Sequence, residues 1–278
     1  MIMLALIISL IIYIYRQNKK NKEYMETTYY KSTKIPLSQL KYDAGKYGEY
    51  LIYKELQWLE QCGARFLFNA YIPKKNGKTS EIDVIMICDR GIFVYESKNY
   101  SGWIFGSENQ KNWYQTIRTR RKINKESFYN PIMQNRSHIK HLSALFPHKI
   151  HFQSIIVFSN RCTLKDIDVY SSDINVIHRY EISDTTRCVY ESLPVVFSSQ
   201  DIVNIYNRLY PLTQVSSQVI EKHIEDTINT KEMFERAEEL NICPYCNSPL
   251  VLRTAKNNPA NQFYGCSRFP KCRYTKSL

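Results

Sequence analysis

Two apolar runs separated by a short polar turn stand out in the first half of the chain. Residues 81–88 and residues 92–99 are rich in Ile, Val, Phe and Met, and residues 89–91 between them include a glycine. Two runs of β-branched and aromatic residues around such a turn predict a β-hairpin. We therefore expect two paired antiparallel strands here.

Three polar side chains interrupt these runs: Asp83, Glu96 and Lys98. A two-residue loop closed by a pair of Asp89 and Ile92 places Asp83 opposite Lys98. Because side chains alternate between the two faces of a strand, all three polar groups then share one face. A loop of odd length without a bulge would separate Asp83 from the other two.

The chemistry of these three groups is that of a metal-dependent phosphodiesterase. Two carboxylates can hold a hard cation such as Mg²⁺ (or Mn²⁺), which stabilises negative charge on a phosphoryl group and activates water. A nearby lysine ammonium can orient that water or neutralise the phosphate. The alternative is an ordinary hairpin whose polar residues face solvent. Burial of unpaired charges among such apolar strands would be costly, which favours the metal site.

The rest of the pattern alternates between helical and strand periods. Helices are predicted at 42–62, 131–145 and 199–209, strands at 66–72, 103–117, 152–158 and 174–177, and a helical connector at 213–240. Mixed elements of this kind predict an α/β fold with a central mixed sheet flanked by helices.

The N-terminal pattern differs from that of the rest of the chain. Residues 1–15 are almost entirely apolar, and a basic cluster follows at 16–22. This predicts a single transmembrane anchor with the N-terminus outside and the following domains in the cytoplasm. Fifteen helical residues span about 22 Å, against a hydrocarbon core of roughly 30 Å. An interfacial helix and a buried first element are the alternatives.

The tail contains a second chemical signature. Cys243, Cys246, Cys266 and Cys272 form two close pairs about twenty residues apart, which is the spacing of a tetrahedral, structural Zn²⁺ site. The short strands expected around them are too small to fold without metal. Thiolate ligands must stay reduced, which agrees with a cytosolic location.

The net charge of the chain indicates the kind of partner that it binds. The formal net charge of +12 and the pI near 9.2 favour a polyanion such as a nucleic acid, although anionic lipid head groups would be attracted as well. Basic and aromatic side chains can neutralise phosphates and stack on bases. The residues predicted to bind nucleic acid are Arg118, Arg120, Arg121 and Lys122 in the first part of the chain, and Arg253, Phe263, Tyr264, Arg268 and Phe269 in the tail. The alternatives are a solvated β-meander for the first group, and a structural or protein-binding ribbon for the second.

Several motifs together resemble a known family. They are Gly45 to Glu49, Glu81 to Asp83, Glu96 to Asn99, and Asn130 to Gln134. Residues 41–160, which contain them in this order, resemble the NERD (nuclease-related domain) family of the PD-(D/E)xK nuclease superfamily. Ile82 stands where the superfamily name has proline.

The resemblance implies a restriction-endonuclease-like core that cleaves nucleic acid with the help of a metal. Asp83 and Glu96 would bind Mg²⁺, Lys98 would be the catalytic lysine, and Glu49 would add a carboxylate from the first helix of the core. Gln134 would face the same site from a later helix. The cysteine-rich tail is similar to the C4 zinc ribbons of bacterial type I topoisomerases, which implies binding of single-stranded DNA.

These inferences divide the chain into a membrane anchor at 1–15, a basic juxtamembrane linker at 16–40, a nuclease-like core at 41–160, an extension of the core at 161–212, a helical connector at 213–240 and a zinc ribbon at 241–278. The function predicted from the sequence is a membrane-anchored, Mg²⁺-dependent deoxyribonuclease that prefers single-stranded or structured DNA. The alternatives are a non-catalytic DNA-binding membrane tether and an RNA-processing factor.

Overall fold

The computed structural model describes residues 2–119, 122–148, 150–255 and 258–277. The chain divides into two compact units, Met1–Val215 and Ser216–Leu278. The proposed nuclease residues lie in the first unit and the four paired cysteines lie in the second.

Helices and strands alternate along the first unit. Its helices are α1 (Ile2–Glu26), α2 (Thr28–Thr33), α3 (Leu37–Leu40), α4 (Ala44–Leu56), α5 (Pro131–Ser143), α6 (Ile182–Ser192) and α7 (Ser199–Leu209). Its strands are β1 (Arg65–Pro73), β2 (Thr79–Cys88), β3 (Gly91–Lys98), β4 (Gly102–Ser107), β5 (Asn112–Arg118), β6 (Ile123–Tyr129), β7 (Phe152–Phe158), β8 (Cys162–Asp168) and β9 (Ile174–His178). The predicted α/β class is confirmed.

The central sheet has the strand order β1-β2-β3-β7-β9. Strands β1, β2 and β3 are antiparallel neighbours, whereas β3, β7 and β9 run parallel. Parallel neighbours need a crossover connection, and α5 forms part of the one between β3 and β7. Apolar side chains from α4 and α6 pack on one face of this sheet, and side chains from α5 and α7 pack on the other.

A second sheet has the strand order β6-β5-β4-β8. Its inner face carries Ile104 and Trp113, which are fully buried. The indole of Trp113 stacks on the ring of Phe158 of β7, with 6.1 Å between ring centroids. The two sheets therefore share a hydrophobic core.

The second unit is a small ribbon preceded by helix α8 (Ser217–Glu239). Strands β10 (Leu250–Ala255), β11 (Asn258–Cys266) and β12 (Thr275–Ser277) form an antiparallel sheet in that order. Its core contains Leu250 and Tyr274 beside the cysteines, and Phe234 of α8 packs against it.

The prediction of a transmembrane anchor at 1–15 is wrong, and so is the single-pass topology based on it. None of the helices formed by the described residues combines the length and the apolar character that a membrane crossing requires. The apolar run ends at Tyr15, short of the roughly 20 residues needed to span a bilayer. Helix α1 continues through charged residues to Glu26.

The segment predicted to be a linker, residues 16–40, is helical instead. Helices α1, α2 and α3 occupy most of it. Tyr24, Tyr29 and Leu40 from this segment are buried in the core beneath α4. Three tyrosines among the polar residues of this segment, Tyr24, Tyr29 and Tyr30, pack in or against this core.

The close packing of β4 on Trp113 predicts a stability effect. A Cβ atom at Gly106 would overlap the indole ring of Trp113, so Gly106→Ala should lower the free energy of unfolding by about 1–3 kcal/mol. All three tryptophans, Trp58, Trp103 and Trp113, belong to the first unit. Tryptophan fluorescence during urea unfolding therefore follows this unit. Ser127→Ala on the exposed strand β6 is the control, and an equal midpoint for both variants would contradict the packing.

Candidate active site and zinc centre

The hairpin of β2 and β3 differs from its predicted register by two residues. Cys88 pairs with Gly91, so the loop consists of Asp89 and Arg90. Val84 pairs with Tyr95. One further step along this register places Asp83 opposite Glu96, whereas the predicted register paired Asp83 with Lys98. Because the shift is an even number of residues, it does not exchange the faces of the strand.

Gly91 explains the observed register. It has a φ of 134°, and a Cβ atom there would lie 2.8 Å from the carbonyl oxygen of His151 at the start of β7. The carbonyl of Asp89 accepts hydrogen bonds from the backbone N–H groups of Val196 and Phe197. Contacts with residues distant in sequence therefore place Gly91 in β3 and Asp89 in the loop.

Glu96 is the most deeply buried group of the predicted site, with 1% of its surface exposed. The Nζ of Lys98 donates to Oε1 of Glu96 at 2.7 Å and to Oε1 of Gln134 at 3.0 Å. The structure thus brings together three of the predicted residues, two from β3 and one from α5. Burial raises the cost of a charge here, but the positive charge of Lys98 and the contact with His138 outweigh it and lower the pKa of Glu96 to about 2.

His138 also contacts Glu96. Its Nε2 lies 3.2 Å from Oε2 of Glu96, and its Nδ1 lies 2.7 Å from Oγ of Ser80. Ser80, His138 and Glu96 are all buried and form a continuous polar row. His138 follows Gln134 by four residues on α5, so both side chains lie on one face of this helix.

Asp83 lies beside this group. Its Oδ2 accepts a hydrogen bond from the backbone N–H of Ser97 at 2.8 Å. Burial and the negative charge of Glu96 raise the pKa of Asp83 to about 7, although Lys98 opposes the shift. A carboxyl group with a raised pKa beside a second carboxylate is a frequent property of functional sites.

Strands β1 and β2 are distorted at this point. Phe68 and Val84 belong to the core beneath α4, whereas the next alternate residues, Ala70 and Ile82, belong to the core on the opposite face. Asn69, between Phe68 and Ala70, has a left-handed φ of 53°. The regular alternation of faces therefore breaks beside Asp83, and such distortions are common near active sites.

Glu49 and Lys46 reach the site from α4. The Nζ of Lys46 lies 3.1 Å from Oε1 of Glu49 and 3.0 Å from Oε1 of Glu81, and it also donates to the side chain of Asn69. The hydroxyl of Tyr29 lies 3.5 Å from the second oxygen of Glu49. Burial raises the pKa of Glu49, and the negative charge of Asp83 adds to the shift.

Asp43, which precedes the motif around Glu49, and Gly48 within it set the position of α4. Asp43 caps the helix by accepting from the backbone N–H groups of Gly45 and Lys46, each at 3.0 Å. A Cβ atom at Gly48 would lie 2.6 Å from Oγ of Ser97. Glycine at this position therefore lets α4 approach β3 closely enough to bring Glu49 to the site.

The charges of the site suit a divalent cation. The carboxylates of Glu49, Asp83 and Glu96 lie near one another, and the ammonium groups of Lys46 and Lys98 contact two of them. Carboxylate oxygens are the ligands that Mg²⁺ prefers. Burial and, to a smaller extent, the neighbouring carboxylates raise the pKa of Asp83 and Glu49, and a bound cation would favour the charged forms. The residues therefore fit the metal that the sequence predicted.

The ribbon brings its four cysteines to one point. The sulfur atoms of Cys243, Cys246, Cys266 and Cys272 all lie within 4.8 Å of one another. The pairs 243–272 and 246–266 have Sγ···Sγ distances of 3.6 and 3.4 Å, close to the edge of about 3.8 Å expected of a tetrahedron with Zn–S bonds of about 2.3 Å. The cysteines thus fit structural Zn²⁺. Among the described residues, no other group of three or more His, Cys, Asp or Glu side chains brings its ligand atoms this close together.

The predicted nucleic-acid residues of the ribbon fall into two groups. Arg253, Phe263 and Phe269 line a cavity of about 440 Å³, and the guanidinium of Arg253 lies 5.6 Å from the centroid of the Phe269 ring. Tyr264 is half-buried against the ribbon core. Arg268 is exposed, and its backbone N–H donates to Sγ of Cys266 at 3.4 Å.

The predicted basic residues of the first unit lie around the β5–β6 connection. Arg118 and Lys122 are exposed. Arg120 and Arg121 lie outside the described residues.

Lys46, Ser80 and His138 were not among the site residues predicted from the sequence. His138 had a usable signal, because its spacing of four from Gln134 on an amphipathic helix places both on one face. Lys46 and Ser80 had none, since single lysine and serine residues are common on protein surfaces.

The raised pKa of Asp83 predicts a dependence of stability on pH. The folded protein holds this proton more tightly than the unfolded chain does. Protonated Asp83 therefore contributes to the free energy of unfolding below about pH 4, and this contribution is lost as the pH rises through about 7. Asp83→Asn, which stays neutral, should gain roughly 1–3 kcal/mol of stability relative to wild type between these limits. Urea unfolding in magnesium-free buffer, followed by tryptophan fluorescence, measures this difference. Parallel pH profiles would contradict it.

The cysteine cluster predicts one bound Zn²⁺ per chain. Cys266→Ser removes a ligand from a site of four, so zinc measured by atomic emission should fall from about one equivalent towards zero. Cys188→Ser changes an exposed cysteine of the first unit and is the matched control. Full zinc retention in Cys266→Ser would refute the metal site.

Comparison with known proteins identifies two domains in the chain. The profile of the nuclease-related domain family (NERD) matches residues 44–159, and that of the topoisomerase DNA-binding C4 zinc finger matches residues 240–278. An uncharacterised protein of Bacillus anthracis is 32% identical over 181 residues, which cover 65% of this chain and 82% of that protein.

The tail also matches two topoisomerases. DNA topoisomerase 1 of Mycoplasma genitalium is 41% identical over 59 residues, or 21% of this chain and 8% of that enzyme. DNA topoisomerase 1 of Methanocaldococcus jannaschii is 46% identical over 44 residues, or 16% of this chain and 5% of that enzyme. No solved structure matches the chain. The chain therefore belongs to the nuclease-related domain family and carries a C4 zinc ribbon of the topoisomerase type.

Proposed function

We propose that this protein is a metal-dependent deoxyribonuclease. The observation that carries the proposal is the buried contact of Lys98 with Glu96 beside Asp83. An ion pair buried this deeply is costly to maintain, and replacement of such pairs by apolar residues is often neutral or stabilising. Its presence in a nuclease-related domain supports a chemical role.

In this proposal Asp83 and Glu96 hold Mg²⁺ (or Mn²⁺), and Glu49 adds a third carboxylate from α4. The cation supplies stabilisation of the phosphoryl charge and a water of lowered pKa. His138 is proposed to position Glu96, since its Nε2 lies 3.2 Å from the second carboxylate oxygen. Ser80 fixes the other nitrogen of that histidine.

Lys98 is proposed as the catalytic lysine. The positive charge of its ammonium group is favoured by Glu96 and Asp83, which raise its pKa against the effect of burial. A charged lysine can donate hydrogen bonds that orient water or neutralise the phosphate. Gln134 shares this ammonium and holds it in place.

The ribbon is proposed to bind DNA, and single-stranded or structured DNA above all. Its matched family is described as DNA-binding. Phe263, Phe269 and Arg253 around the ribbon cavity supply stacking surfaces and positive charge. Exposed Phe269 has 58% of its surface open to a ligand.

The proposal predicts metal-dependent cutting of circular DNA. Full-length protein should cleave single-stranded or duplex circles with Mg²⁺ or Mn²⁺, and omission of the divalent cation should stop cleavage. Asp83→Asn and Lys98→Met should each lower the rate by a factor of about 10² or more, because each removes a group aimed at developing charge. Lys54→Met is the matched control, since this lysine is exposed on the outer side of α4.

The assay separates catalysis from binding. If zinc-loaded wild type binds DNA in a gel-shift experiment but leaves every substrate intact, the protein is a non-catalytic DNA-binding protein. Cleavage that survives both substitutions would assign the activity to a contaminant or to another site.

A further inference from the structure

The outer face of the β6-β5-β4-β8 sheet is aromatic and basic. Ile104, Trp113 and Gln115 point inward and are buried. The alternate residues of the same strands, among them Trp103 and Tyr114, therefore point outward. Trp103 is 43% exposed, which is unusual for the largest aromatic side chain.

The outward residues form two rows across the strands. One row joins Lys125, Thr116, Trp103 and Thr163, and the next joins Ser127, Tyr114, Phe105 and Asp166. The rows are two residues apart along each strand, or about 7 Å. Aromatic rings of β4 and β5 thus lie side by side in the middle of the face.

Lysines lie over these rings. The Nζ of Lys125 is 4.2 Å from the centroid of the Tyr114 ring, and the Nζ of Lys165 is 5.9 Å from that of Trp103. Both lysines are exposed. Arg118 and Lys122 add positive charge at the β5–β6 connection, and the acidic residues on the β8 side of this face are Asp166 and Asp168.

This face begins beside the proposed active site. Strand β4 starts at Gly102, shortly after Lys98, and β8 starts at Cys162, shortly after the end of β7. Ser159 joins these two connections, since its N–H donates to the carbonyl of Lys98 at 2.9 Å and its hydroxyl donates to the carbonyl of Tyr100 at 2.5 Å. The row that contains Trp103 is the one nearest to Lys98 along β4.

We propose that this face is the single-strand binding platform of the nuclease unit, with bases stacked on Trp103 and Tyr114 and phosphates held by Lys125 and Lys165. Here "the outer face" means these four residues and their two rows. Aromatic rings interleaved with lysines suit a polyanion with flat bases. Bases of any sequence can stack on the rings, and lysines that neutralise phosphates release counterions from the nucleic acid. The inference rests on the proposed function and names the surface that leads its substrate to Lys98.

Trp103 is itself a probe of this face. The ribbon contains no tryptophan. Trp113 is fully buried, and Trp58 is partly buried with the guanidinium of Arg187 5.3 Å from its ring. Oligothymidylate titrated into the full-length, zinc-loaded Asp83→Asn variant should quench the fluorescence of Trp103, and this variant prevents cleavage during the titration.

Trp103→Phe in that background should abolish the quenching, and Trp103→Ala should weaken binding, measured by anisotropy of a labelled oligonucleotide, by about fivefold or more. Lys165→Gln should weaken binding and reduce its salt dependence. Trp58→Phe is the matched control and should leave the quenching and the affinity unchanged. Circular dichroism verifies that each variant is folded.

Three results would overturn the inference. The first is binding by anisotropy without quenching, which places the strand on the ribbon alone. The second is unchanged affinity in Trp103→Ala, and the third is equal quenching by a duplex of the same length, whose bases are not free to stack. Quenching that depends on Trp103 in a protein that cleaves nothing with Mg²⁺ would support the platform while refuting the proposed nuclease.

Discussion

The burial of the Glu96 carboxylate is the constraint on which the site depends. A charged group with 1% exposure needs compensation from its surroundings. Lys98 from the same strand compensates one oxygen, and His138 from α5 lies against the other. Helix α5 is therefore held to β3 by electrostatic contacts as well as by apolar packing, and its register fixes which residues face the site.

The start of α5 is fixed in turn by Asn130. Its side-chain oxygen caps the helix at Ile132, at 2.8 Å, and its Nδ2 donates to the carbonyls of Ser107, Glu108 and Gln110 in the β4–β5 turn. Glu108 then pairs with Arg136 of α5 and accepts from the backbone of Ser171 at 2.9 Å. The second sheet is thus tied to the helix that carries Gln134 and His138. A strand bound on that sheet would be placed by the same contacts that build the active site.

Much of this arrangement follows from local sequence. The alternation of residues 81–98, the Asn-Pro start of α5 and the cysteine spacing each predict their element, since each reflects short-range physics. The register of the hairpin was wrong because Gly91 and Asp89 are placed by β7 and by residues 196–197, which are distant in sequence. Strands β6 and β8 were not predicted, because most of their residues are polar and exposed. The contact of Ser80 with His138 joins residues 58 positions apart and has no local signature.

The central claim is that the carboxylates of the β2–β3 hairpin bind a catalytic cation, and direct binding of Mn²⁺ tests it most simply. Electron paramagnetic resonance would count free Mn²⁺ during titration of the full-length, zinc-loaded protein at neutral pH. We predict binding to wild type that Asp83→Asn and Glu96→Gln each weaken by at least about tenfold, with no change in Asp166→Asn, whose carboxylate lies on the second sheet. Equal Mn²⁺ binding by wild type and all three variants would contradict the account.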